Sequence, residues 1–133
     1  MSSEPKWQRQ APPESSKRPC ILYIEENEAS FRQVKSSLEN FGYNVIGATN
    51  GWQALALLLN SPISLVLGGE ALCTTEGSEL VQKIKGIKPN VPVILCSRTL
   101  PHSMKDVDAF VSADMPLSNF QALIKNFLDR YAA

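Results

Sequence analysis

Apolar residues fall along the chain in short unbroken runs, and between those runs they recur every three or four positions. Cys20-Ile21-Leu22-Tyr23-Ile24 is the first run, as expected of a strand covered on both faces in a parallel sheet. Phe31, Val34, Leu38 and Phe41 then follow at helical spacing until Gly42, which stops the helix. Residues 43–46 read as a short strand, and Asn50 as the N-cap of a helix carrying Trp52, Leu55, Leu58 and Leu59. The cluster Leu55, Leu57, Leu58 and Leu59 exceeds one helical face, and burial between sheet and neighbouring helices is expected to account for most of it. A third strand over 63–67 runs into Gly68-Gly69, and a helix carrying Leu80, Val81, Ile84 and Ile87 ends before Pro89. Residues 91–96 form a fourth strand that tolerates Pro92 near its start, and 109–111 a fifth. The last helix is expected to begin with a capping box, Ser118 and Gln121, and to bury Phe120, Leu123, Ile124, Phe127 and Leu128. This alternation predicts an α/β fold, a five-stranded parallel sheet with helices on both faces, with functional groups gathered beyond the carboxyl ends of the strands.

Composition narrows the function. The chain has 133 residues, 44% of them hydrophobic, enough for one compact domain without a metal or disulfide. Lys plus Arg and Asp plus Glu are 13 each, so no electrostatic field argues for a nucleic-acid partner. No apolar stretch is long enough to span a bilayer, and the first residues lack the apolar core of a secretory signal. Cys20, Cys73 and Cys96 fit neither a disulfide framework nor a zinc site, which points to a reducing, cytoplasmic setting. Residues 1–19, rich in Pro and polar groups, read as a disordered tail in which Trp7 is incidental, leaving 20–133 as the domain.

Just past the first strand stands Glu25-Glu26-Asn27-Glu28, an oxygen-rich loop suited to Mg²⁺ and unlike the Gly/Ser-rich loops that cradle phosphates. With this acidic pair, the order of elements over 20–131 resembles the receiver domain of two-component response regulators, a flavodoxin-like fold. Ile21–Ile24 with Glu25 and Glu26, Gly42-Tyr43 with Val45, Ala48, Gly51 and Ala54-Leu55, Ser64–Leu67, Gly77, and Pro92-Val93-Ile94 with Ser97 carry the likeness.

The resemblance implies phosphoryl transfer to an aspartate that ends the third strand. Mg²⁺ is then held by that aspartate and the acidic pair, a hydroxyl follows the fourth strand, and a lysine follows the fifth. Glu25, Glu26 and Ser97 occupy three of these positions, although the family usually has at least one Asp in the pair and glutamate is one methylene longer, against a Mg²⁺ that demands near-octahedral geometry. The aspartate position is Gly69, counted forward from Ser64 or backward from Gly77. The lysine position is Met115 or Ala113, depending on whether Pro116 or Phe110 anchors the alignment. Glu70, one residue on, is expected to point away from the acidic pair. Pro101 and the short span 98–107 predict that the family's fourth helix is shortened or lost.

The expected function is therefore a stand-alone, receiver-like interaction module that needs no phosphorylation, no cofactor and no catalytic residue, and that has a protein partner but no nucleic-acid or membrane partner. A divergent acceptor at Glu70 with Mg²⁺, and a small flavodoxin-like cofactor binder or enzyme, are the alternatives. His102 is expected on a surface loop, Cys96 as a small core residue, and Cys73 exposed but without chemistry.

Overall fold

The computed structural model describes residues 18–131, so the expectations for residues 1–17, Trp7 included, lie outside it. Five parallel strands, β1 (Cys20–Ile24), β2 (Asn44–Ala48), β3 (Leu65–Gly68), β4 (Val93–Ser97) and β5 (Ala109–Ser112), pair in the order β2-β1-β3-β4-β5. They alternate with α1 (Glu28–Asn40), α2 (Gly51–Asn60), α3 (Thr75–Ile87) and α4 (Leu117–Tyr131), and a 3-10 turn over Glu70–Cys73 precedes α3. This is the flavodoxin-like arrangement, and its order reverses at β1 and β3, whose carboxyl ends are where such sheets place their sites.

Strand alternation splits the core into two layers. Leu22, Ile24, Val66, Val93 and Leu95 face Ala54 and Leu58 of α2 and Val81 and Ile84 of α3. Ile21, Tyr23, Leu65, Leu67 and Ile94 face Leu38 of α1 and Phe120, Ile124 and Phe127 of α4. Local signals fix several ends. Asn50 Oδ1 accepts from Gln53 N at 2.9 Å as the expected N-cap of α2. Gly42 closes α1 with φ +101°, a torsion that glycine reaches without steric cost.

Four expectations change. The Ser118/Gln121 capping box is not made, because Ser118 already lies inside α4. The Pro116 carbonyl receives Asn119 N and Phe120 N at 3.0 Å instead, with the ring of Pro116 suited to the helix start. Trp52 and Leu59 are 88% and 63% exposed, because only the Ala54/Leu58 side of α2 meets the sheet. Cys73 is buried rather than exposed, since the 3-10 turn folds it into the α2/α3 layer. Leu123, expected to be buried in α4, is only half-buried. As predicted, residues 98–108 contain no helix. His102, exposed in that segment, donates its backbone N–H to the Cys73 carbonyl at 2.6 Å and ties the segment to the 3-10 turn.

Beneath the sheet, at its amino end, Asp108 accepts from Lys85 Nζ and from Val93 N, each at 2.7 Å. One carboxylate thus joins α3, β4 and the start of β5.

Candidate functional site

The carboxyl ends of β1, β3 and β4 bring Glu25, Gly69 and Ser97 together. Alternation past the end of β1 sends neighbouring carboxylates opposite ways. Glu25 is buried and Glu26 exposed. Glu25 lies on the same side of the chain as Tyr23, whose hydroxyl donates to Glu25 Oε1 at 3.4 Å, and Asn27 N donates to Oε2 at 3.0 Å. These two donors turn the carboxylate inward toward Gly69, whose own N–H is bonded to the Ile24 carbonyl at 3.0 Å. A Cβ placed on Gly69 would meet Glu25 Oε1 and lie 2.7 Å from Glu25 Cδ. The carboxylate of Glu25 therefore fills the space a side chain at position 69 would need.

Ser97 is buried, and its Oγ accepts from Thr99 N at 2.9 Å, which folds the hydroxyl back on the following loop. Burial pushes the Cys73 thiol up, a hydrogen bond with Ser97 offsets part of that, and Glu70 adds to it. Such a thiol stays protonated and unreactive at neutral pH. Both candidate lysine positions sit in the turn after β5: Ala113 N donates to the Ser97 carbonyl at 3.2 Å, and Met115 is half-buried against the α4 layer. Arg98 lies beside these positions, but its Nε stands 3.7 Å from Asp114 at the surface. Glu70 is exposed as expected, yet it lines both clefts that flank Glu25 instead of standing apart from it. Tyr23, Asn27 and Cys73 also belong to the site; the i, i+2 relations of Tyr23 and of Asn27 to Glu25 are sequence signals that relate them to it, and Cys73 has no such signal.

The larger cleft, about 980 Å³, opens between α2 and α3 above Glu25 and Glu26; the smaller, about 590 Å³, opens beside Ser97 and Met115. Among the described residues, no group of three or more His, Cys, Asp or Glu is placed to hold a metal ion. A Mg²⁺ bound in the family's manner does not fit the donor set: glycine follows β3 where the resemblance calls for a carboxylate, and of the acidic pair Glu25 is buried while Glu26 is exposed.

The buried acids give the fold an alkaline limit. Burial, then the charge of Glu25, pushes the Tyr23 phenol well above its usual range, and burial raises the Cys20, Cys73 and Cys96 thiols. Each group holds its proton more tightly folded than unfolded, so its contribution is complete below the unfolded pKa values, about 8.5 for thiols and about 10 for tyrosine. Stability is then lost as pH climbs past them. The urea midpoint is expected to be lower at pH 10.5 than at pH 7.5, with a smaller drop in Tyr23→Phe. An equal drop in that variant would contradict the assignment to Tyr23.

A family model, the response regulator receiver domain, matches residues 21–117. The chain is 23% identical over 124 residues to the autoinducer 1 sensor kinase/phosphatase LuxN of Vibrio campbellii, covering 90% of this chain and 15% of that protein. It is 29% identical over 75 residues to the transcriptional regulatory protein ZraR of Klebsiella oxytoca, covering 56% and 17%. The chain thus spans less than a fifth of the length of these curated relatives. Among solved structures, a CheY-like receiver domain protein from Methanospirillum hungatei superposes with a TM-score of 0.76 at 24% identity, covering 87% of this chain and 98% of that one. The response regulator TrrA from Thermotoga maritima, solved with Mg²⁺ and BeF, gives 0.73 at 20% identity, covering 82% and 98%. These likenesses establish a shared fold.

Proposed function

The chain belongs to the response regulator receiver domain family, and on that premise we propose that it is a receiver that works without phosphoryl transfer, by binding a protein partner. Receivers of this family serve two-component signalling, and that much holds for this chain. The finer reading rests on one observation: the buried carboxylate of Glu25 packs against Gly69, where the family resemblance calls for the acceptor aspartate.

Family-type transfer needs a carboxylate oxygen to attack phosphorus and a cation to meet the charge that develops. Gly69 offers only a hydrogen. Glu25 cannot swing to replace the acceptor without giving up its bonds from Tyr23 and Asn27. Ser97 keeps a hydroxyl that could donate, but neither Ala113 nor Met115 carries charge. The residues favour a module that acts as a surface, non-enzymatic and cytoplasmic, with Mg²⁺ having no assigned part. Glu70 is the rival acceptor, because it is exposed and lines both clefts beside Glu25.

The reading predicts that Mg²⁺ with beryllium fluoride, a phosphoryl mimic, leaves the thermal midpoint unchanged. A ligand that binds only the folded state raises that midpoint. A rise of several degrees would overturn the reading, and loss of the rise in Glu70→Gln would assign it to Glu70.

A further inference from the structure

Trp52, Leu55 and Leu59 form one stripe along α2, spaced at i, i+3 and i+7 over about two turns. Trp52 is 88% exposed and Leu59 63%, while Ala54 and Leu58 on the other side are fully buried. Trp52 and Leu55 also line the larger cleft, whose exposed rim carries Glu26, Glu70, Glu76 and Glu79. Lys83 is the one cation among its lining residues, and among the described residues none of the four rim glutamates forms an ion pair.

An exposed indole is unusual on a helix that has no need of it for its own core, and tryptophan is among the side chains enriched at the hot spots of protein contacts. The acidic rim selects what covers it. A second copy of this chain would bring the same glutamates face to face, and nucleic acid or an anionic lipid surface would be repelled. We propose that the Trp52–Leu55–Leu59 stripe and its glutamate rim form a docking surface for a basic amphipathic segment of a partner protein, an apolar side chain resting on Trp52 and Lys/Arg groups meeting Glu76 and Glu79. The inference rests on the reading that this receiver acts by binding a protein, and adds where and to what chemistry.

The test is fluorescence anisotropy of a labelled lysine–leucine peptide, its leucines at helical spacing, titrated with the full chain. The peptide is expected to bind, and Trp52→Ala and the pair Glu76→Lys/Glu79→Lys are each expected to weaken it about tenfold or more. Glu39→Lys on α1 is the control for diffuse attraction and is expected to change binding less than about twofold. A lysine–serine peptide of equal charge is expected to bind far more weakly. No binding, undiminished binding to Trp52→Ala, or an equal loss from Glu39→Lys overturns the proposal. These outcomes are distinguishable from failure of the reading itself, which a midpoint raised by beryllium fluoride would reveal while leaving the peptide results intact.

Discussion

Gly77→Ala is expected to lower the stability of the domain by about 3 kcal/mol, although alanine is the better helix former. Gly77 is buried in the first turn of α3, and a Cβ there would meet the Ala71 carbonyl oxygen and the Leu72 backbone, whose carbonyl carbon would be 2.5 Å away. A side chain could yield to such an intrusion, but here the obstacle is main chain. The 3-10 turn that presents it is held by Leu72 N on the Gly69 carbonyl at 3.1 Å, Thr74 Oγ1 on the Ala71 carbonyl at 2.9 Å and His102 N on the Cys73 carbonyl at 2.6 Å. Relief therefore means moving the turn, and with it Gly69 and the floor of the larger cleft. Gly86→Ala on the same helix is the control: open space surrounds a Cβ there, and a gain of a few tenths of a kcal/mol is expected. Urea unfolding of the two variants checks both, and equal stabilities would refute the close approach at Gly77.

Gly69→Asp places an aspartate where the family resemblance calls for one and is expected to cost about 2 kcal/mol at neutral pH. The backbone is no obstacle, since φ at Gly69 is −93°. Glu25 is the obstacle. It must give up the Asn27 and Tyr23 donors, and two carboxylates then share a pocket in which neither has a cation bonded to it. Like charges at short range raise the pKa of one member of the pair in the folded state. The folded protein then binds more protons than the unfolded, so part of the loss is expected to be recovered as pH falls toward 5. Glu25→Gln in the same chain is expected to recover the charge part and Glu25→Ala most of the whole, whereas Gly69→Ala reports the steric part alone. Strictly additive effects of the changes at 25 and 69 would show that the two side chains do not compete for one space.

Much of this architecture was written locally. The runs Cys20–Ile24 and Leu65–Gly68 are apolar throughout because helices cover both faces of β1 and β3, and Asn50 and Gly42 mark helix ends by their own chemistry. What misled were patterns that a neighbour can overrule. Ser118 and Gln121 have capping-box spacing, but Pro116 two residues earlier already starts the helix. Trp52 has helical spacing with Leu55 and Leu59, yet hydrophobicity alone could not say that the sheet meets the opposite side of α2. The positions of Gly69 and Ser97 at the ends of β3 and β4 could be reached by counting. The inward turn of Glu25 could not, because it depends on Tyr23 from β1 and on empty space beside Gly69 from β3, two elements brought together only by the fold. The 3-10 turn over Glu70–Cys73 has no periodic signature, so the burial of Cys73 was equally invisible.

The claim at the centre is that no carboxylate in this pocket takes up a phosphoryl group. Intact-mass spectrometry of the full chain after incubation with Mg²⁺ and acetyl phosphate tests it directly. An unchanged mass is expected; an added phosphoryl group, lost again on mild alkaline or hydroxylamine treatment as an acyl phosphate is, would contradict this.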